Sequence, residues 1–303
     1  LELPGTGFGV IPAVVGRASS NENRSISLGI VTAAGSVGQV VGAPLAEWML
    51  TEITWQSVFL IFSATILVSL LFLPFMRAPA PIKKTELQVT MGSVLRKAFS
   101  DPTFTMIFLG FFSCGYQLAF ITAHFPAFIT EMCSSITPSS VFHSIGLSTT
   151  SALGAISISL IGLANVVGTL MAGHLGNKFS KKYLLCLIYL GGTIIAAIFI
   201  MSPMTPTTVV VFSICMGALW LATVPLTSGL IAYIYGLKYM GTLFGIVFFS
   251  HQLGSFLGVW LGGVMYDIYG SYTLVWWVGV CIGAFSALIH LPVRERPLIM
   301  SSA

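Results

Sequence analysis

The side chains in this chain that can move a proton or orient a ligand are few, and most stand alone inside long apolar runs. His251 and Gln252 sit in the middle of the uncharged stretch 239–266. An imidazole changes charge near neutral pH, and the neighbouring amide both donates and accepts hydrogen bonds. Between Asp101 and Glu131, the residues Ser113, Gln117, Phe120 and His124 recur at helical spacing. Successive steps of about 100° bring these four within about 60° of one another, with Tyr116 beside them, as a polar and aromatic stripe. Trp220, Thr223 and Thr227 share a face in the same way, next to a bend that Pro225 permits. Asn165 is an isolated amide in the apolar run 149–173.

Groups of this kind suit a cavity that holds a small solute by a few hydrogen bonds between apolar walls. Covalent catalysis would need acids, His or Cys clustered at one depth, whereas the nine acids stand almost entirely at the ends of apolar runs. No catalytic residue and no enzyme is expected. Cys114, Cys133, Cys186, Cys215 and Cys281 form no C-x-x-C pair and have no companion His spacing, so neither a metal site nor a disulfide framework is indicated. No Walker A sequence is present, and Gly5-x-Gly7-x-Gly9 lies in an apolar span instead of following a strand, so no nucleotide cofactor is expected.

The elements that position these groups follow from composition. The 303 residues are 56% hydrophobic and only 7% charged, against about 25% charged in a soluble domain. A compact soluble chain and a disordered chain are both excluded, which leaves an all-α, polytopic bundle of membrane helices. A crossing needs about twenty largely apolar residues. The charge-free intervals 25–46, 53–76, 102–130, 132–177, 183–237, 239–266 and 268–293 mark the candidates. The fourth counts once, as a loop before a helix over 149–173. The fifth counts twice, because Pro203 and Pro206 break it. Eight complete spans result, preceded by an apolar stretch at 3–16 that reads as the end of a further helix.

Loop charges agree with this count. Alternation puts all thirteen Lys and Arg on one side, in five loops: Arg17 and Arg24; Arg77, Lys83, Lys84, Arg96 and Lys97; Lys178, Lys181 and Lys182; Lys238; Arg294 and Arg296. The opposite side holds Glu47, Glu52, Glu131 and Asp267. Five basic loops would share a side by chance about one time in sixteen, so the basic side is read as cytoplasmic, with the C-terminus there. The same dispersal argues against a nucleic-acid patch. Asn23-Arg24-Ser25 matches a glycosylation tripeptide but falls in a basic loop and is set aside.

The segment 173–182, Gly-His-Leu-Gly-Asn-Lys-Phe-Ser-Lys-Lys, resembles the basic, glycine-rich signature that major facilitator superfamily transporters carry between the second and third helices of each half, with Asn177 where Asp is usual. The Gly/Pro-rich stretch 35–44 resembles the fifth-helix signature. The phrases at 219–225 and 251–258 are similar to the tenth and eleventh helices of bacterial members that resemble monocarboxylate transporters. The resemblance implies this superfamily's fold, with about nine of twelve helices and the first three absent. It divides the chain into the end of an N-terminal half (1–75), a central cytoplasmic loop (76–102) with an amphipathic segment over 94–99, a six-helix C-terminal half (103–293) and a tail (294–303).

The implied activity is secondary active transport of a small organic solute, a monocarboxylate-like acid, across the cytoplasmic membrane, with protons as the coupling partner, lipid as the solvent and no oligomer required. A drug/proton antiporter or a non-transporting sensor would keep the same fold. The candidate solute-facing residues are Tyr116, Gln117, His124, Asn165, Trp220, Thr223, His251 and Gln252; for each, hydrogen bonding between helices is the competing reading. Gly38 and Gly42, and Gly254, Gly258 and Gly262, recur every four residues and are expected to let helices approach closely. His251 shares the face of the second glycine set, so if that face packs, Gln252 is the one turned to the cavity. No basic residue lies inside a span, so a carboxylate would find its cation on the absent helices, or the solute is weakly acidic or neutral.

Overall fold

The computed structural model describes residues 10–20, 22–71 and 90–298. The glycines at 5, 7 and 9, most of the central loop and the end of the tail lie outside them. The described chain is helical: α1 (Val10–Ala18), α2 (Arg24–Glu52), α3 (Trp55–Ser69), α4 (Met91–Ser100), α5 (Pro102–Met132), α6 (Val141–Ser144), α7 (Thr150–Lys178), α8 (Lys181–Met201), α9 (Pro206–Leu219), α10 (Thr223–Tyr235), α11 (Met240–Tyr269) and α12 (Thr273–His290). Taking α9 and α10 together, seven helical segments are long and apolar enough to cross a bilayer, and α3 is a shorter apolar helix.

Local chemistry sets the helix ends. The Asp101 carboxylate accepts the Thr103 N–H at 3.0 Å and Pro102 opens α5; Thr149 caps α7; Thr205 and Thr208 form a reciprocal cap behind Pro206. Gly270, in the left-handed region with φ 61°, ends α11. In α4, Val94 and Ala98 are buried while Phe99 is exposed.

Helices alternate in direction, so one end of the bundle gathers every described Lys and Arg. Contacts across that end tie it together. The Tyr235 hydroxyl donates to the second oxygen of Asp101 at 2.8 Å, and Asn177 Nδ2 donates to the Glu22 carbonyl. At the acidic end Tyr266 donates to Glu131 and Ser151 to Glu47, both at 2.8 Å. Helix α2 therefore lies along α7 with polar ties at both ends, and glycines close the gap between them. A Cβ on Gly29 would come within 2.8 Å of the Thr169 carbonyl, and one on Gly173 within 2.7 Å of the Ser25 carbonyl. Beyond α2 and α7, the main pairings are α5 with α11, α7 with α9, and α12 with α8 and α5. Phe125, Phe128, Phe199, Phe212 and Trp276 interlock by edge and stacked contacts and fill this part of the bundle.

Candidate functional site

The helix that follows Pro206 does not run through. Pro225 has no N–H, so the carbonyl of Leu221 lacks its usual partner four residues on. The turn there tightens: Trp220 N–H reaches back three residues to Gly217 O at 3.1 Å, and Val224 N–H to Leu221 O at 3.0 Å. The break at 220–222 leaves the Leu221 N–H pointing sideways, where Asn165 Oδ1 of α7 accepts it at 2.9 Å. The Nδ2 of the same amide donates to Ser36 Oγ of α2 at 2.7 Å. Asn165 is wholly buried, and its amide is committed to protein partners on both sides.

The break places Trp220 and Thr223 against α5 and α8. They share a small chamber with Gln117, Cys114, Tyr189 and Met216, with a volume of about 20 Å³, enough for one water molecule but not for an organic solute. Its polar inventory is uncharged. Thr223 Oγ1 donates to Cys114 Sγ at 3.3 Å, and Gln117 Nε2 donates to the Gly279 carbonyl at 3.2 Å. Trp220 Nε1 and the Tyr189 hydroxyl are buried with no hydrogen-bond partner among the described residues. A second void, of about 10 Å³, lies on the other side of Gln117, toward Phe120 and Trp276. A larger apolar cleft of about 300 Å³, lined by Ile195, Ile198 and Val211, runs between α8 and α9 and contains none of these polar groups; its hydroxyls are those of Ser202, Thr207 and Thr208.

The remaining stripe residues on α5 are turned to other helices. The Tyr116 hydroxyl donates to Val275 O at 3.1 Å, and His124 Nε2 pairs with Val259 O at 2.9 Å. Both rings join α5 to its neighbours, Tyr116 to α12 and His124 to α11. Sequence spacing missed Tyr189, Met216 and Cys114 as chamber residues. For Cys114 the signal was present, since it lies three residues before Gln117 on the same helix; for Tyr189 on α8 there was none.

His251 is buried with its ring stacked on Phe248 at 4.9 Å and tilted on Phe111 at 5.3 Å. Its Nδ1 pairs with Gln252 Oε1 at 3.4 Å, and its Nε2 has no partner among the described residues. Gln252 is exposed. The cause is the glycine face: Cβ atoms on Gly254 and Gly258 would collide with the carbonyls of Phe112 and Tyr116, and one on Gly262 with the His124 ring. That face packs α11 on α5. At Gly38 and Gly42 a Cβ would meet nothing within 4 Å. Among the described residues the close approach expected of this pair is therefore not made; α2 makes it at Gly29, nine residues before Gly38 and about 180° round the helix from it, on the side that α7 covers.

The family model described as Major Facilitator Superfamily matches residues 4–258 and 125–300. An MFS-type transporter of Bacillus subtilis (strain 168), YcxA, is 24% identical over 283 residues; the match covers 89% of this chain and 64% of that protein. A crystal structure of the E. coli fucose:proton symporter FucP is similar with a TM-score of 0.66 at 13% identity, over 93% of this chain and 72% of FucP. The proton:xylose symporter XylE, bound to 6-bromo-6-deoxy-D-glucose, gives a TM-score of 0.67 at 15% identity, over 97% of this chain and 70% of XylE.

Proposed function

This chain belongs to the major facilitator superfamily, and from that premise we propose that it serves a secondary active transporter of a small organic solute, working by alternating access. The observation that carries the reading is the helix broken at 220–222, which sets Trp220 and Thr223 against Gln117 around an uncharged polar chamber. Discontinuous helices at mid-depth, with backbone groups freed beside them, are where such proteins take hold of their solutes.

At about 20 Å³ the chamber is closed. Moving α10 about the break would enlarge it and expose the Trp220 and Tyr189 donors. Tyr116, His124 and Asn165 hold the walls, and Gln252 faces outward from the buried His251. The halves are the segments 1–75 and 103–293, joined by 76–102, with 294–303 as the tail.

Hydrogen-bond donors without a permanent cation fit a weakly acidic solute, and a monocarboxylate-like acid carried with a proton is the substrate class proposed. Two structural neighbours, a fucose:proton and a proton:xylose symporter, support protons as the coupling ion. The gathering of every described basic residue at one end supports a cytoplasmic C-terminus in the plasma membrane.

The test is counterflow in proteoliposomes carrying the full-length protein, with a panel of labelled organic acids at two pH values. Accumulation of a monocarboxylate that weakens in Gln117→Ala and Thr223→Val is expected. A folded protein that moves none of the acids, yet protects cells against lipophilic toxins, would replace this reading with drug/proton antiport.

A further inference from the structure

A second polar concavity lies at the basic end, remote from the broken helix. It has a volume of about 460 Å³ and opens between the turn joining α7 to α8, the last turn of α10 and the segment after α12. Lys182, Arg294 and Arg296 line it, with Phe179 and Tyr233 at its edge. The acid among them, Glu295, is already engaged. Its carboxylate accepts from Ser180 Oγ and from the backbone N–H groups of Lys181 at 3.1 Å and Lys182 at 3.3 Å. These are orphan donors of the first turn of α8, so Glu295 acts as that helix's cap and leaves the recess cationic.

The cations are held on an ordered frame. Val293 is fully buried, the Leu298 N–H donates to the Ile234 carbonyl at 2.7 Å, and Lys182 Nζ donates to the Leu291 carbonyl at 3.1 Å. Toward mid-depth, the first turns of α8 and the last turns of α12 expose Tyr183, Leu187, Leu288 and Leu291. A cationic recess therefore adjoins an uncovered apolar face, an arrangement that fits a ligand with an anionic head and a hydrocarbon body.

We propose that this recess binds an anionic phospholipid, with its phosphate between Lys182, Arg294 and Arg296 and its acyl chains along α8 and α12. Guanidinium groups meet phosphate oxygens in pairs, and exposed aromatics such as Phe179 and Tyr233 suit the level of the headgroups. The inference rests on the chain crossing a bilayer and is independent of what it carries.

Native mass spectrometry of the full-length protein in detergent, with phosphatidylglycerol or phosphatidylcholine added, tests it. Retention of phosphatidylglycerol over phosphatidylcholine is expected. The triple variant Lys182→Gln, Arg294→Gln, Arg296→Gln should lose about fivefold in that preference per cation removed. The charge-preserving triple Lys182→Arg, Arg294→Lys, Arg296→Lys should keep most of it, and Arg96→Gln, at the same end but outside the recess, should keep all of it. Equal binding of the two lipids, or an unchanged preference in the neutral triple variant, would overturn the proposal. Displacement of the lipid by millimolar glycerol phosphate would also overturn it, by making the recess a site for soluble anions.

Discussion

Asn165 on α7 completes the broken backbone at Leu221: its Oδ1 accepts the Leu221 N–H at 2.9 Å, while its Nδ2 reaches Ser36 Oγ on α2 at 2.7 Å. The oxygen that an unbroken helix would offer Leu221, that of Gly217, is taken by Trp220 instead. One amide therefore holds the break in shape and links it to α2. Asn165→Ala leaves the Leu221 N–H buried without a partner, at a cost of about 1–2 kcal/mol. Ser36→Ala removes only the second bond and should cost less. Thermal unfolding of the solubilised full-length protein ranks the two, and equal losses would mean that the bond to Leu221 contributes nothing.

The α5–α11 contact makes a second prediction. A methyl group at Gly258 would collide with the Tyr116 carbonyl, whereas at Gly263 nothing lies within 4 Å among the described residues. Gly258→Ala should therefore destabilise by about 1–3 kcal/mol, because backbone atoms cannot step aside as a flexible side chain can. Gly263→Ala should be neutral, or stabilising by up to about 1 kcal/mol through helix propensity. The same unfolding measurement checks both, and the reverse ranking would rule out this packing of α11 on α5.

How much of this was legible follows from what a sequence encodes locally. Charges cannot stay in hydrocarbon, so the gaps between them marked the helices, and Pro203 and Pro206 marked the turn between α8 and α9. The stripe of Gln117, Phe120 and His124 was equally readable, because helical periodicity fixes which side chains share a face. It does not say which neighbour that face meets: Gln117 lines the chamber, but His124, two turns on, bonds to Val259 O. Pro225 announced a bend, yet its form at 220–222 depends on Asn165, more than fifty residues earlier in the chain. Gly38 and Gly42 had the spacing of a packed face; α2 and α7 meet instead at Gly29 on α2 and at Gly162 and Gly173 on α7. Contacts between distant residues had no local signature.

His251 gives the third prediction. Its ring is enclosed by Phe111 and Phe248, and its only polar partner among the described residues is Gln252. On the proton-coupled reading, His251→Gln keeps a side chain of similar size that cannot take up a proton. The ratio of counterflow rates at the two pH values should then fall toward one while the unfolding temperature changes little. A pH ratio unaffected by His251→Gln would remove this imidazole from the coupling step.

The last prediction concerns the threading on which all of these depend. Lys182 lies in the first turn of α8 and Lys238 follows α10, and between them the chain turns once, at Pro203 and Pro206. If that turn separates two crossings, Lys182 and Lys238 share a side; if it is a kink within one crossing, they lie on opposite sides. The break at 220–222 does not reverse the chain, since α9 and α10 form one continuous apolar segment of 30 residues, about 45 Å at 1.5 Å per residue and so long enough to span the hydrocarbon alone. Lys182→Cys and Lys238→Cys should both be labelled by an impermeant thiol reagent in inverted vesicles and be silent in intact cells, with the unmodified chain as the blank for its own cysteines. Glu131→Cys and Asp267→Cys should show the opposite pattern, because an odd number of crossings separates each from Lys182. Labelling of Lys182→Cys and Lys238→Cys from different sides would make α8 and α9–α10 a single passage and dismantle the chamber that both are needed to enclose.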